Sequence, residues 1–311
     1  MNYFIIDSMN LAYRSHIANF EAKTSTDINS GMFFGFVRTI QSLKKKFRQY
    51  QFSAVWDNKP VHKYKIMPEY KSGRTKLPSK IFDQVGDIKS FLSNIHVDQY
   101  EMKCQEADDV IATLVEELKG KKDTKSIIIY TNDKDMLQLV EDPKVVVFKP
   151  KVGVHPEQFY DESAVKDKFG VLPKDLAVFR SFDGDESDSI KGVSRVRRKT
   201  ISDIVNEHKE IEKIFESLDS LSITDNERGK IASFQDTAKL NYEIIALSRF
   251  LNGVESTPGG GNLEEVKRLL NFYEIKTVKP DLLLDLFSSS LNIRYSDSRP
   301  TVEIESYSLF D

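Results

Sequence analysis

Nine carboxylates are placed where they could hold divalent cations: Asp7, Asp57, Glu106, Asp108, Asp109, Asp133, Asp135, Asp185 and Asp188. Asp7 directly follows the apolar run Tyr3–Ile6, and Asp57 ends the run Phe52–Trp56. Asp133 and Asp135 follow Ile127–Tyr130, in Thr131-Asn132-Asp133-Lys134-Asp135. Glu106, Asp108 and Asp109 open a helical stretch, and the three-residue spacing of Glu106 and Asp109 puts them on one face, away from its apolar stripe. Asp185 and Asp188 repeat that spacing. The dipole of a helix start accounts for one or two acids at such a position, but not for the others. Gathered in one place, the nine would repel strongly, and divalent ions relieve that repulsion. An oxygen-only set, without a His or Cys group, selects a hard ion, Mg²⁺ or Mn²⁺. Two such ions are the usual means of stabilising an in-line phosphoryl displacement.

The elements that must position these acids are readable from hydrophobic pattern. Tyr3–Ile6, Phe52–Trp56, His96–Tyr100, Ile127–Tyr130 and Val145–Phe148 read as buried strands, with helical periods between them at 31–49 and 106–119. Strand alternating with helix predicts an α/β fold with a mostly parallel central sheet flanked by helices. In such a sheet the carboxyl ends of the strands share one edge, so Asp7, Asp57, Asp133 and Asp135 converge. From about 155 the strands are expected to stop and the chain to be helical through 250. Thr257-Pro258-Gly259-Gly260-Gly261-Asn262 reads as a linker, followed by amphipathic helices near 263–274 and 279–290. The expected organisation is a catalytic α/β domain at 1–154, a helical region at 155–256, and a linker, helices and polar tail at 257–311.

Two basic segments lie beside the acids. Residues 59–80 carry Lys59, Lys63, Lys65, Lys71, Arg74, Lys76 and Lys80 against the single acid Glu69, broken by three prolines and a glycine. A loop of this kind over the acidic edge could bind phosphates and stabilise charge developing during cleavage; the plainer reading is a solvated loop. Residues 191–200 hold Lys191, Arg195, Arg197, Arg198 and Lys199 and no acid, directly before a helical period, as a phosphate-gripping helix start would.

The 311 residues suffice for one large domain or two moderate ones. The formal net charge is −3, so nucleic-acid binding would rest on how the basic residues are clustered and on acids neutralised by metal. The single cysteine, Cys104, excludes an internal disulfide, suits a reducing cytosol and reads as a small filler at a strand end. The first ten residues read as a strand rather than a signal peptide, and no apolar run is long enough to cross a membrane. A cytoplasmic protein, expected to be a monomer, fits.

These motifs together resemble the bacterial and phage 5′→3′ exonuclease and flap endonuclease family, which includes the 5′ nuclease domain of DNA polymerase I and phage ribonuclease H. The residues that carry the resemblance are Asp7-Ser-Met-Asn-Leu-Ala-Tyr-Arg14, Gly35-Phe36, Asp57 with Tyr70-Lys71-Ser-Gly-Arg74, Glu106-Ala-Asp108-Asp109, Thr131-Asn-Asp133-Lys-Asp135 and Gly184-Asp185-Glu-Ser-Asp188, over roughly residues 3–200. The resemblance implies a PIN-like or resolvase-like nuclease fold, with all nine acids as metal ligands or their immediate partners. It implies that Lys71 and Arg74, and less directly Lys63, act on the reacting phosphate from a helical arch, and that Arg14, Tyr70 and Lys76 contact DNA. It further implies 5′-phosphate products and branched or 5′-ended DNA, or RNA–DNA hybrid, as substrate. One departure stands out. Where the family's helix–hairpin–helix carries the glycines of a GIG motif, this sequence has Arg195 and Arg197. That weakens the case for a monovalent-cation site and suggests that Arg195, Arg197, Arg198 and Lys199 replace backbone contacts to duplex with side-chain contacts.

The chain ends Ser306-Tyr307-Ser308-Leu309-Phe310-Asp311, which is similar to the short peptides that dock replication proteins on sliding clamps. That makes Leu309 and Phe310 candidate clamp contacts, with a single-stranded DNA-binding protein as a further candidate partner. The competing readings are a PIN-type ribonuclease and a structure-specific DNA-binding protein that does not cleave.

Overall fold

A computed structural model describes residues 1–73 and 82–289. In chain order the elements are β1 (Asn2–Asp7), α1 (Ser8–Ala18), α2 (Gly31–Lys46), β2 (Tyr50–Trp56), α3 (Val61–Ile66), α4 (Asp83–Ser93), β3 (Asp98–Glu101), α5 (Ala107–Lys119), β4 (Ser126–Tyr130), β5 (Val145–Lys149), β6 (Gln158–Tyr160), α6 (Glu162–Phe169), α7 (Leu176–Asp183), α8 (Arg198–His208), α9 (Ile211–Glu216), α10 (Asp225–Ser233), α11 (Gln235–Ile245), β7 (Glu255–Thr257), α12 (Leu263–Phe272) and α13 (Pro280–Ser288). The seven strands form one sheet, in the order β6-β5-β4-β1-β2-β3-β7. Every pairing from β5 to β3 is parallel, and β6 and β7 add antiparallel edges.

The central strands are apolar on both faces because helices cover both, as a parallel sheet requires. Along β1 and β4, Tyr3, Ile5, Ile127 and Ile129 enter one core with α5 and α7, while Phe4, Ile6, Ile128 and Tyr130 enter the other with α1, α2 and α4. Helices α1 and α2 approach so closely that a Cβ on Gly35 would overlap the Asn19 and Ser15 side chains, which fixes glycine there.

The five strands expected from sequence are present, but strands do not stop at 155. β6 and β7 are three residues each, too short to show an alternating pattern, and only their antiparallel partners define them. The 257–262 segment is not a free linker either. Gly259 N–H donates to Asp98 Oδ1 (3.0 Å), Gly260 N–H donates to the Ser93 carbonyl (2.6 Å) and the Gly260 carbonyl accepts from His96 N–H (2.8 Å), so this glycine run seals the sheet edge. Helices α12 and α13 then pack on the α/β core. Val266, Leu269, Leu270, Leu283 and Phe287 join Phe4 and Trp56, and Tyr273 stacks on Phe33 with ring centroids 4.3 Å apart. Cys104 is exposed in a left-handed turn (φ 65°), not a strand-end filler. Among the described residues no helix is long and apolar enough to cross a membrane.

Candidate metal and nucleic-acid site

At the carboxyl edge of the sheet, Asp7, Asp57, Glu106, Asp108 and Asp133 line one cleft, with Asn10, Tyr13, Asn58 and Lys71 around them. Each is fixed by local geometry. Asp7 ends β1 and caps α1, accepting from Asn10 N–H (3.1 Å) and from Thr131 Oγ1 (2.7 Å). Asp57, just past β2, accepts from Ala107 N–H (2.9 Å) at the start of α5, so one carboxylate ties a strand end to a helix start. Asp133 accepts from Asp135 N–H (2.8 Å) and donates its own N–H to Thr131 Oγ1 (3.0 Å).

Glu106 is treated differently. Its carboxylate is buried and receives Lys63 Nζ (2.8 Å), Tyr70 Oη (3.0 Å) and Lys71 Nζ. Burial alone would raise its pKa, but the two lysines bring it down to about 2. Asp7, with no cation beside it, is pushed up to about 7 by burial and then by Asp57. Asp108 is raised well above its ordinary value, by burial and then by Asp133 and Glu106. Carboxylates in this condition favour either a proton or a metal.

A second acid group adjoins the first. Asp135 and Asp185 flank Arg180, a 2% exposed arginine on the wholly buried stretch of α7, with Nη1 3.5 Å from Asp135 Oδ1 and Nη2 hydrogen-bonded to Asp185. Burial and Asp133 still push Asp135 up to about 7, whereas the Ser187 and Arg180 hydrogen bonds outweigh burial at Asp185 and hold it below its ordinary value. Asp188 is buried nearby. The Asp185–Ile190 hairpin that carries this group closes with a reciprocal backbone pair at 2.8 Å each way. It depends on glycine: a Cβ on Gly184 (φ 78°) would overlap Gly192, and one on Gly192 would overlap the Asp183 carbonyl.

Three expected positions differ. Asp109 faces away from the cleft: it is 1% exposed, accepts from Ser248 N–H (2.8 Å) and lies 3.5 Å from Lys63. Lys63 lies between Glu106 and Asp109, as their three-residue spacing predicts, but Asp108 is the residue that lines the cleft with Glu106. Tyr70 is 3% exposed beneath Glu106 and cannot reach DNA from there. Lys63, also 3% exposed, meets Glu106 and Asp109 and works through them rather than at the surface. Lys71 lines the cleft, and its N–H donates to the Asp188 carbonyl (3.0 Å), which joins the root of the basic segment to the second acid group. Arg74 and Lys76 lie outside the described residues, as do Leu309 and Phe310.

Of the other basic candidates, Arg195, Arg197 and Lys199 are exposed, Lys199 pairing with Asp203 at 2.7 Å, while Arg198 forms a two-pronged pair with Asp183 (2.8 and 2.9 Å). Arg14 is half-buried over the Tyr130 ring (5.9 Å), in a groove shared with Lys151. Sequence reasoning missed Arg180; its signal is a lone arginine within an otherwise apolar helical run, Leu176-Ala-Val-Phe-Arg180-Ser-Phe182.

The donor set suits a hard divalent cation: oxygen ligands throughout, with Asp7 and Asp135 each raised to about 7 by burial and by neighbouring carboxylates. Among the described residues no three His, Cys, Asp or Glu side chains form a preassembled cage, and Glu106 is occupied by lysine.

Comparison with known proteins places this architecture. A family model described as the 5′–3′ exonuclease N-terminal resolvase-like domain matches residues 2–170. A 5′–3′ exonuclease of Aquifex aeolicus is 32% identical over 247 residues, covering 78% of this chain and 81% of that one. DNA polymerase I of Bacillus subtilis is 28% identical over 244 residues, and the match covers 78% of this chain but 27% of the polymerase. Among solved structures, the bacteriophage T5 D15 flap endonuclease, in a complex with DNA and metal ions, shares the fold with a TM-score of 0.63 at 18% identity, over 94% of this chain and 99% of that one. The matched span includes all the cleft carboxylates, and on these findings the chain belongs to the 5′–3′ exonuclease family.

Proposed function

We propose that the protein is a structure-specific 5′ nuclease. It hydrolyses phosphodiester bonds at 5′ ends or flaps of DNA, and in RNA primers annealed to DNA, with two Mg²⁺ (or Mn²⁺) ions. The observation that carries this reading is the convergence of Asp7, Asp57, Glu106, Asp108 and Asp133, from four separate segments, on one cleft that also holds Lys71. Family membership and the metal ions and DNA bound by the T5 enzyme support it. Asp7, Asp57, Asp108 and Asp133 would hold one metal position, and Asp135, Asp185 and Asp188 the side toward the hairpin. Bound there, the ions would supply activation of the attacking water and stabilisation of the leaving 3′ oxygen.

The chain's own groups do the rest. Thr131 and Asn10 orient Asp7, and Arg180 holds Asp135 and Asp185 against their mutual repulsion. Lys63 and Tyr70 fix Glu106, and Lys71 is placed to move from Glu106 to a phosphate oxygen when substrate and metal arrive. The Arg195–Lys199 stretch would grip the duplex. The protein would act as a monomer in the cytoplasm of a bacterium or phage-infected cell. Sliding-clamp docking through Leu309 and Phe310, and contact with a single-stranded DNA-binding protein, are further readings, and deletion of the last six residues without loss of clamp-stimulated activity would remove the first.

The test is cleavage of a labelled 5′-flap duplex in Mg²⁺ or EDTA, beside a 3′-flap and a blunt duplex. Metal-dependent release of the 5′ product, absent from the 3′ flap, establishes reaction and polarity. Binding without cleavage would make the protein a structure-specific DNA-binding protein, and cleavage confined to single-stranded RNA would make it a PIN-type ribonuclease.

A further inference from the structure

On the opposite flank of the acidic edge from Lys63 and Lys71 lies a group of cations that the proposed mechanism does not use. Strand β5 is the next strand beyond β4 and ends at Lys149. The register pairs Val147 with Tyr160 and Lys149 with Gln158, so Lys149 and Tyr160 are diagonal neighbours on one face. Lys149 Nζ lies 5.9 Å from the Tyr160 ring centroid. Lys168, in the last turn of α6, reaches the same ring at 4.8 Å and donates to Tyr160 Oη (2.8 Å). Lys134, between Asp133 and Asp135, adds a third charge to the same field.

None of the three ammonium groups has a carboxylate within salt-bridge distance among the described residues, in a chain with 48 acidic against 45 basic residues. Lys149 itself makes no hydrogen bond there, and its burial together with Lys168 and Lys134 pushes it down to about 8. Bringing like charges together around a half-buried group costs free energy, which a bound anion would recover.

We infer that Lys149 and Lys168, arranged about the Tyr160 ring and supported by the charge of Lys134, seat a backbone phosphate of the DNA beside the cleaved bond. The inference rests on the nuclease reading and adds a binding position to it. Adjacent strands are about 4.8 Å apart, so the end of β5 lies on the order of 10 Å from the end of β1. At a rise of about 3.4 Å per nucleotide, that separation is about three nucleotides. The cleaved strand is then gripped on both sides of the acids, by the β2 flank through Lys71 and by the β5 flank through this seat.

The test measures binding of a 5′-flap duplex in EDTA over a salt series, with single methylphosphonate substitutions walked along the strand. The proteins are the unaltered chain, Lys168→Gln, Lys149→Gln and the double variant, with thermal melts as a folding control; Lys168 is exposed, so its variant keeps the test open if Lys149→Gln fails to fold. The double variant should bind about 10-fold more weakly, with a salt slope smaller by about 2. Neutralising one or two phosphates within about three nucleotides of the cleavage site should weaken the unaltered protein and leave the double variant indifferent. Unchanged affinity and slope in folded variants, or a methylphosphonate penalty that persists in them, overturns the seat alone. Failure of the unaltered protein to bind flap DNA overturns the nuclease reading and the seat with it.

Discussion

The two acid groups at the sheet edge solve the same electrostatic problem in different ways. Around Asp135 and Asp185 the chain supplies its own counter-charge, the buried Arg180. Around Asp7, Asp57, Asp108 and Asp133 it supplies mainly neutral donors, Thr131 Oγ1 and backbone N–H groups, and Asp7 and Asp108 are left with raised pKa values. Ser187 and Arg180 hold Asp185 below its ordinary value, but Arg180 leaves Asp135 raised, so the second group is partly neutralised by the chain itself. In the first group burial and mutual repulsion outweigh the nearby Lys71, and a divalent ion would relieve that unfavourable energy on binding. On the proposed reading the first cluster would gain more from a bound divalent ion, whereas the second already draws part of its counter-charge from Arg180.

The sharpest way to break this contrast is to remove one acid from each group. Asp7→Asn and Asp185→Asn should both reduce flap cleavage to background while flap binding in EDTA is retained. They should part company in stability. Asp7→Asn relieves repulsion and should melt at or above the unaltered protein when metal is absent, whereas Asp185→Asn strips a partner from a buried arginine and should melt lower. Equal melting shifts would erase the distinction between the groups, and cleavage retained in both variants would refute the metal assignment.

Arg180→Met probes the second group from the cation's side. Removing one member of a buried pair destabilises by roughly 3–5 kcal/mol, because the remaining charges lose their compensation. Here two carboxylates are left, so the variant should unfold at markedly lower urea in EDTA and regain part of the loss in millimolar Mg²⁺. A variant as stable as the unaltered protein would mean that Arg180 is dispensable to the site's shape.

Both groups predict a pH dependence, the first through Asp7 and the second through Asp135. Asp7 and Asp135 titrate near 7 in the folded chain, above the unfolded value near 3.9. Their neutral forms favour the fold, so that contribution is complete below about pH 4 and is lost as pH rises through about 7. Glu106, brought down to about 2, works in the opposite sense and is lost only as pH falls toward 2. Metal-free protein should therefore melt several degrees lower at pH 8 than at pH 5.5, and Mg²⁺ should flatten the curve. A metal-free melting temperature that rises across this window would contradict the raised values.

Where the sequence could be read, it was read through chain-local rules. A parallel sheet puts its strand ends on one edge, so Asp7, Asp57 and Asp133 converge without any knowledge of side-chain contacts. The departures share a different cause. Asp109 shares Lys63 with Glu106, yet it is buried against the N–H of Ser248, a residue 139 positions along the chain that spacing does not report. The family resemblance implies DNA or phosphate contacts for Tyr70 and Lys63, yet Glu106 draws both inward. Arg180 and the Lys149–Lys168 pair depend on which elements become neighbours in space, as do the edge strands β6 and β7. Such features have no periodic signature, and only the assembled sheet order reveals them.

The smallest effect sharpens the comparison at the Arg195–Lys199 segment beyond the hairpin, whose cations carry partners of unequal strength. Arg198 is committed to Asp183 by two hydrogen bonds, whereas Arg197 lies 3.8 Å from Glu227 with its side chain 82% exposed, and Arg195 is exposed on a left-handed residue. If duplex is gripped here by side chains in place of backbone, Arg195→Ala with Arg197→Ala should weaken duplex binding up to about 10-fold and lower the salt slope by about 2. Arg198→Ala should instead cost stability through the lost Asp183 pair and leave the slope nearly unchanged. The reverse pattern, with slope lost on removal of Arg198 and kept without Arg195 and Arg197, would mean that Arg198 leaves Asp183 for phosphate when DNA arrives. The segment's cations would then be exchanged on binding, like Lys71 at Glu106, rather than standing ready in the free protein.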